Sequence, residues 1–326
     1  MTLPAISVFV PHYNCTDTLP RLFASLAAQT VPPHEILFVD DGSDSDPGPE
    51  IDRLRGALNL RLLRQGRNRG VRSARYRAYT EATGDAILQV DADDALTPDA
   101  LATFGAAMAE TGAEIVQTQL DYVAPDGTRR QPLNELRRAL VTGPDVLPSF
   151  VNLTEAARGW PHGAAGGKLL RQDIARAIAK RIGDSVHQVY AEDTFANCIA
   201  MDLADKMLLL PEAPYLYFAR EDSSNGLRIG AWRDKFFRDT QQYREDMWAF
   251  IDDLETRRPA LAEMFRTRQS NMLRGRIRTA FPGQRPFGRD FEACLAQTPP
   301  RARALFRQIR IETRNTAGKP AGGIGN

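Results

Sequence analysis

The chain has 326 residues, of which 43% are hydrophobic and 25% are charged, and its formal net charge is +1. This composition excludes a largely disordered, collagen-like or disulfide-stapled protein, and the length predicts about two domains. Four charged residues interrupt the most apolar stretch, residues 199–218, so we expect no membrane-spanning helix. The three cysteines stand far apart in no pairing or metal-binding pattern, which predicts a reducing compartment.

Strand and helix patterns alternate over the first 123 residues. Short apolar runs predict five strands: Ile6–Val10, Glu35–Val39, Leu60–Leu63, Ala86–Val90 and Glu114–Val123. Helical spacing predicts helices over Asp17–Gln29, Gly70–Thr83 and 97–112. This alternation is typical of βαβ units and predicts an α/β fold with a mostly parallel sheet flanked by helices. Ligands of such sheets bind beyond the carboxyl ends of the strands.

The second half of the chain is less regular. The patterns predict a helix that ends at Arg181, a helix over Ala191–Met201, and two short strands at Lys206–Leu210 and Pro214–Phe218. From residue 229 onward, large apolar residues recur at helical spacing, which predicts an all-helical extension.

Polar clusters follow three of the predicted strands: Pro11-His12-Tyr13-Asn14, Asp40-Asp41-Gly42-Ser43 and Asp91-Ala92-Asp93-Asp94. Each cluster alone is also typical of a turn. Five carboxylates gathered at one rim would repel one another, however, and oxygen ligands favour Mg²⁺ or Mn²⁺ completed by a diphosphate. Tyr13 offers a flat face to a nucleobase, and Asp41 is able to accept a hydrogen bond from a ring N–H. A fourth acidic pair, Glu192-Asp193, opens a predicted helix.

The order and spacing of these motifs resemble the family 2 inverting glycosyltransferases of the GT-A fold. The matching motifs are Val10–Asn14, Val39–Ser43, Asn68–Gly70 with Ala74-Arg75, Asp91–Asp94, Lys168–Arg171, Glu192-Asp193 and Tyr217 with Arg220 and Ser223. The resemblance covers about residues 4–225. It is specific for the family and unspecific for the substrate.

The resemblance implies a nucleotide-sugar donor, usually a UDP-sugar, and a divalent cation, Mn²⁺ or Mg²⁺. It implies a nucleotide pocket formed by Pro11, Tyr13, Asn14 and Asp41. By the same resemblance Asp91 lies at the ribose, and the metal ligands are Asp93 and Asp94.

The catalytic residue implied by the resemblance is Asp193, a general base that takes the proton of the acceptor hydroxyl. We expect Arg72 and Arg75 to neutralise the leaving diphosphate beside the metal. The Gln-x-x-Arg-Trp signature of processive synthases is absent from the sequence, so we expect transfer of one sugar per encounter. The predicted acceptor is a glycan or a lipid-linked acceptor, in the assembly of surface glycans or polysaccharides.

Two alternatives remain open at this stage. A nucleotide-sugar-binding protein without catalytic activity would keep the same donor motifs. A haloacid-dehalogenase-like phosphatase would also place Asp-x-Asp after an apolar strand, as in Asp91-Ala92-Asp93. A Rossmann dehydrogenase is excluded, because no G-x-G-x-x-G follows the first strand.

Three segments are predicted: a catalytic domain over 1–225, a helical extension over 226–314 and a disordered tail over 315–326. Residues 1–225 carry 22 basic and 30 acidic residues, whereas residues 226–326 carry 20 basic and 11 acidic residues. The extension is predicted to pack on the catalytic domain, with peripheral contact with an anionic membrane or a homodimer as the alternatives. No nucleic-acid partner is predicted. The predicted location is the cytoplasm, with contact at the inner face of the membrane.

Overall fold

The computed structural model of the chain describes residues 2–124, 126–130, 136–151, 164–184, 192–218, 242, 245–280 and 307. The chain divides into two compact units, Met1–Gly226 and Leu227–Asn326. The predicted tail over 315–326 lies outside the described residues.

The first unit is built on a ten-stranded sheet with the path β3-β2-β1-β4-β9-β6-β10-β5, while β7 pairs with β6 and β8 with β10. The strands are β1 (Ile6–His12), β2 (Glu35–Asp40), β3 (Leu60–Arg64), β4 (Ala86–Gln89), β5 (Ala95–Leu96), β6 (Ile115–Val123), β7 (Arg129–Arg130), β8 (Ala139–Thr142), β9 (Lys168–Arg171) and β10 (Lys206–Phe218). The five strands predicted in the first 123 residues are present, and the α/β class is confirmed.

Helices pack against this sheet. They are α1 (Leu19–Ala27), α2 (Gly48–Leu54), α3 (Val71–Glu81), α4 (Ala100–Thr111), α5 (Val146–Val151), α6 (Gln172–Ile182) and α7 (Glu192–Leu203). The apolar side chains of α1 and α4, among them Leu22, Phe23 and Phe104, are buried in one core cluster with side chains of β1 and β2. Helix α2 has no counterpart in the predictions, because its short segment is rich in residues typical of turns.

Parallel pairing of the first strands brings their carboxyl ends together. β1 pairs with β2 and β4, and β2 pairs with β3, all in parallel. The register sets His12 opposite Asp40. The clusters that follow β1, β2 and β4 therefore lie at one edge of the sheet, as predicted.

Beyond these strands β6 and β10 also pair in parallel, but the other pairings differ from the mostly parallel arrangement predicted. β9 lies antiparallel between β4 and β6, and β5, β7 and β8 also pair antiparallel. The two short strands predicted after residue 205 form one strand, β10, whose register with β6 shifts between Leu210 and Tyr215. Alternation of strand and helix predicts parallel neighbours, but it carries no signal for a strand that returns in the opposite direction.

The second unit is described in two helices, α8 (245–257) and α9 (Pro259–Ala280). Their buried contacts include Phe250 and Phe265, whose ring centroids lie 5.6 Å apart in an edge-on arrangement. Ion pairs join Arg266 to Glu255 and Arg257 to Asp253 on the exposed faces. Within the described residues the predicted extension is thus helical. Of the helices the structure describes, none has the length and apolarity needed to cross a bilayer.

Candidate functional site

The carboxyl ends of β1 and β2 are joined by a buried polar cluster. The Ser43 hydroxyl donates to Asp40 Oδ1 at 2.6 Å, and His12 Nδ1 lies 3.2 Å from the same carboxylate oxygen. Burial lowers the pKa of His12, although the neighbouring Asp40 opposes this shift. Asp40 is therefore engaged by protein groups, which differs from its expected place in a metal-binding rim.

Asp41 holds the loop that leads into α3. Its Oδ1 accepts the backbone N–H of Arg69 at 2.7 Å and the side-chain amide of Gln65 at 2.8 Å, while Oδ2 accepts the N–H of Gly70 at 2.7 Å. Gly42 completes this corner with φ +73°, and a Cβ there would lie 2.3 Å from the carbonyl carbon of Arg67. The close approach of the two loops explains why this position requires glycine.

The residues that follow β1 present one exposed ring beside a braced turn. Tyr13 is 44% exposed, so its ring is accessible at this edge of the sheet. Asn14 adopts φ 52° and exchanges two hydrogen bonds of 2.9 Å with Asp44. Pro11 is half-buried within β1. The roles of Pro11, Tyr13 and Asn14 in nucleotide binding stay predictions.

Asp91 follows β4 in a half-buried, acidic environment. The pKa of Asp91 is raised to about 6, chiefly by burial and in smaller part by the charges of Asp93 and Asp193, against the hydrogen bond from Gln89 and the charge of Arg75, which lower it. Gln89 Nε2 donates to Asp91 Oδ1 at 2.7 Å. The carboxylate thus sits where added positive charge is favourable.

Asp94 links β4 to β10. Its Oδ2 accepts the Tyr215 hydroxyl at 2.6 Å and its Oδ1 accepts the backbone N–H of Phe218 at 2.9 Å. Burial, followed by the charges of Asp91 and Asp93, raises the pKa of Asp94 well above its usual value. Both oxygens of Asp94 are therefore engaged by protein groups, an environment different from the metal site expected for it.

The residues at this rim fit a divalent cation only in part. Within the described residues, no group of three or more His, Cys, Asp or Glu side chains is placed to hold a metal. The expected rim of five carboxylates is corrected accordingly, because Asp40, Asp41 and Asp94 accept hydrogen bonds from neighbouring loops and strands. Asp91 also accepts a hydrogen bond, from Gln89, so a role of Asp91 and Asp93 toward an ion that takes its other ligands from a diphosphate stays a prediction.

Arg72 and Arg75 on α3 also occupy an environment different from the expected one. Arg72 is buried, donates through Nε to the carbonyl oxygen of Ile182 at 2.9 Å, and lies 5.8 Å from the ring centroid of Phe195. Arg75 is 1% exposed and forms an ion pair with Glu192. Through these contacts the two arginines link α3 to α6 and α7.

The predicted base, Asp193, lies in the first turn of α7. Its Oδ1 accepts the backbone N–H of Thr194 at 2.7 Å, a contact typical of a helix start. Burial lowers the pKa of Lys168 to about 7, against the opposing effect of the Asp193 charge. A cavity of about 10 Å³, close to the smallest space that holds one water, lies among these groups. It is lined by Arg75, Tyr79, Ala165, Lys168, Leu170, Ile178, Asp193, Ala196 and Asn197.

Two residues that contact the candidate carboxylates were not predicted from the sequence. Tyr215 was assigned to an aromatic-rich strand, yet its hydroxyl donates to Asp94 and accepts the N–H of Asp91 at 3.1 Å. Gln89 was part of an apolar strand, yet its amide contacts both Arg75 and Asp91. A polar residue in a strand that is otherwise apolar was the available signal for Gln89.

A comparison with protein families finds that the model described as Glycosyl transferase family 2 matches residues 7–178. Among curated proteins, the chain is 30% identical over 236 residues to the succinoglycan biosynthesis protein ExoO of Rhizobium meliloti, covering 70% of this chain and 64% of that protein. It is 34% identical over 99 residues to chondroitin synthase of Pasteurella multocida, covering 30% of this chain and 10% of that protein. The chain spans just under two thirds of the length of ExoO.

Solved structures of TarS from S. aureus share the fold. The structure of TarS residues 1–349 in complex with UDP-GlcNAc matches with a TM-score of 0.55 and 19% identity, covering 95% of this chain and 88% of that one. A longer TarS structure matches with a TM-score of 0.59 and 18% identity, covering 95% of this chain and 53% of that one. At this identity the likeness establishes the fold alone, and it confirms the predicted GT-A architecture.

Proposed function

The chain belongs to glycosyl transferase family 2, and from this premise we propose that it transfers one sugar, with inversion, from a UDP-sugar to a hydroxyl of a glycan or lipid-linked acceptor. Family membership sets aside the haloacid-dehalogenase alternative. The assembly of a polysaccharide is supported by the names of two relatives, a succinoglycan biosynthesis protein and a chondroitin synthase. UDP as the nucleotide is supported by the TarS structures, whose titles name UDP and UDP-GlcNAc.

One observation supports the proposal: Asp193 lines a cavity together with Arg75, and Arg75 is joined to Asp91 through the amide of Gln89. Asp91 and Asp193 are separated by about a hundred residues of sequence, so this connection depends on the fold. A base and a donor-binding carboxylate must be neighbours if the acceptor hydroxyl is to attack the donor sugar.

In the proposed reaction, Asp193 takes the proton of the acceptor hydroxyl as its oxygen attacks the anomeric carbon. Because Oδ1 of Asp193 accepts the Thr194 amide, we assign the proton to Oδ2. The bond between the anomeric carbon and the diphosphate oxygen breaks, and UDP leaves from the opposite face. Inversion follows from this single in-line displacement.

The donor is proposed to bind along the carboxyl ends of β1, β2 and β4. Tyr13 would stack on the uracil, with Pro11, Asn14 and Asp41 beside it. Asp91 and Asp93 would bind Mn²⁺ or Mg²⁺ together with the diphosphate of the sugar donor. The bound ion would neutralise the charge that develops on the leaving diphosphate.

Nucleotide binding tests the donor part of this proposal. Calorimetric titrations of UDP, GDP, CDP and TDP into the full chain, each with and without Mn²⁺, are expected to give the tightest binding for UDP with Mn²⁺. Equal affinity for UDP in both conditions would remove the metal from the proposal, and binding of GDP alone would overturn the choice of UDP.

The base is tested by comparing two matched substitutions. Asp193→Asn should lower the release of UDP from a panel of UDP-sugars by roughly 10²-fold or more, because a general base contributes about 10²–10⁴-fold. The control is Asp173→Asn in α6, since Asp173 also accepts the N–H of the next residue, Ile174, at 2.9 Å. The control should release UDP at the rate of the unmodified chain.

The alternatives predict different results in the same assays. If Asp193→Asn and the unmodified chain release UDP equally fast, Asp193 is not the base. If UDP binds tightly but no UDP-sugar of the panel is consumed by either chain, with cell-derived glycans and lipid extract added, the nucleotide-sugar-binding protein without catalytic activity is the better description.

The remaining proposals concern location and assembly. We retain the prediction of a cytoplasmic enzyme whose basic C-terminal segment contacts an anionic membrane or a second copy of the chain. Flotation with anionic and neutral vesicles tests the membrane contact, which should weaken as salt increases.

A further inference from the structure

A row of polar side chains joins Asp91, the carboxylate proposed to lie at the sugar-donor site, to Glu192, the first residue of α7. Gln89 Nε2 donates to Asp91 Oδ1 at 2.7 Å. Arg75 donates to Gln89 Oε1 through Nη2 at 2.9 Å and through Nε at 3.2 Å. Arg75 Nη1 then forms an ion pair with Glu192. The next residue along α7 is the proposed base, Asp193.

The chemistry of the four groups allows only one direction of hydrogen bonding along the row. A guanidinium only donates, and an ionised carboxylate only accepts. The amide of Gln89 must therefore turn Oε1 toward Arg75 and Nε2 toward Asp91. Each substitution that changes this pattern leaves a buried donor or acceptor without its partner.

Burial makes these links stiff. Arg75 is 1%, Gln89 5% and Glu192 7% exposed, so water does not compete for their hydrogen bonds. Hydrogen bonds between charged groups are stronger at low dielectric, and breaking one strands a buried charge. A change in the position of Asp91 is thus passed on to Glu192, because none of the intervening groups is exposed to solvent that would replace a lost partner.

We propose that Arg75 and Gln89 are positioning residues that couple occupancy of the donor site at Asp91 to the first turn of α7, which carries Asp193. This coupling rests on the proposed function, in which a nucleoside diphosphate binds at Asp91 and Asp93. Donor binding fixes the Asp91 carboxylate, and Gln89 and Arg75 then fix Glu192. Donor binding thereby restrains the base in its working position.

Hydrogen exchange of the full chain, measured with and without saturating UDP and Mn²⁺, tests the coupling directly. In the unmodified chain, UDP with Mn²⁺ should slow amide exchange over residues 192–203 by about fivefold or more, the lower end of coupling between sites. Gln89→Met replaces the amide with an apolar group of similar length, and UDP should then leave exchange in α7 unchanged. Saturation is established separately for each variant by calorimetry, so a weaker affinity does not imitate lost coupling.

Two further variants complete the test. Gln172→Met is the matched control, since Gln172 is also a buried glutamine on an adjacent element, donating to the carbonyl of Tyr79 at 2.9 Å. It should keep the full effect of UDP on α7. Glu192→Gln keeps a hydrogen-bonding group but removes the charge, and it should reduce the effect of UDP on amide exchange in α7. This variant tests the coupling even if Gln89→Met does not fold.

The outcomes separate this inference from the proposed function. If UDP with Mn²⁺ does not bind the unmodified chain, the proposed function fails and the coupling fails with it. If UDP binds but does not slow exchange over residues 192–203, the coupling alone is overturned. Equal slowing in the unmodified chain, Gln89→Met and Glu192→Gln would overturn it as well.

Discussion

Substitution of Asp41 tests how the loop that contains Arg69 and Gly70 is held in place before α3. Asp41→Asn keeps the size of the side chain but replaces one acceptor oxygen with a donor NH₂ group. In either orientation of the amide, that NH₂ faces a backbone N–H, of Gly70 or of Arg69, each of which now donates to Asp41 at 2.7 Å. At least one hydrogen bond is lost, and the remaining ones no longer have a charged acceptor.

The size of the effect follows from these contacts. A hydrogen bond to a charged group contributes about 1.5–3 kcal/mol, and a neutral one about 0.5–1.5 kcal/mol. Losing one such bond and weakening the others should lower the free energy of unfolding by about 2–4 kcal/mol. For a unit of this size, that corresponds to a decrease in melting temperature of roughly 5–10 °C.

The assay is thermal unfolding of the full chain, with Asp52→Asn as the control. Asp52 lies in α2, in the same unit, and its side chain is 73% exposed beside Arg55. The control should change the free energy of unfolding by less than about 0.5 kcal/mol, as exposed substitutions usually do. Equal melting temperatures for the two variants would refute the view that Asp41 holds the Arg69–Gly70 loop.

Two further predictions concern the same corner of the molecule. Burial lowers the pKa of His12 in the folded state, so the unfolded chain binds the proton more readily. The contribution of His12 to the free energy of unfolding is therefore fully present above about pH 6.5, and it is lost as the pH falls through the pKa of the folded state. Denaturation of the unmodified chain and His12→Asn across this range should show a shallower pH dependence for the variant, and parallel curves would contradict this assignment. Gly42→Ala combines φ +73° with a Cβ 2.3 Å from Arg67, whereas Gly56→Ala combines φ +52° with open space. Chemical denaturation should find a loss of about 3 kcal/mol or more for Gly42→Ala and about 1 kcal/mol for Gly56→Ala, and similar losses would mean that the loops separate at little cost.

The sequence alone determined the fold class, the family and the edge of the sheet at which the polar clusters meet. Apolar periodicity located β1, β2, β3, β4 and β6 but not the two-residue strand β5, since an alternating βαβ pattern has few physical interpretations. The clusters after β1, β2 and β4 had to share an edge, because parallel strands end on the same side of a sheet. The motif order from Val10 to Ser223 was sufficient to indicate the family, which the match over residues 7–178 confirms.

The sequence did not determine which carboxylates are accessible. Asp40, Asp41, Asp91 and Asp94 look alike in the sequence, since each follows an apolar strand. Asp41 accepts hydrogen bonds from backbone amides that are 28 and 29 residues away, and Asp94 accepts one from a hydroxyl 121 residues away. Such partners depend on where other loops and strands lie, and no local pattern encodes them.

Only the tertiary structure decided the environment of Arg75 and Gln89. A cation on a helix near a diphosphate site is a reasonable ligand for that diphosphate, which is why the sequence favoured that role for Arg75. The fold instead buries this arginine between α7 and β4, where it pairs with Glu192 and donates to Gln89. A buried charge must be paired where it lies, so the long-range packing of α3 against α7, and not the motif, determines what Arg75 contacts.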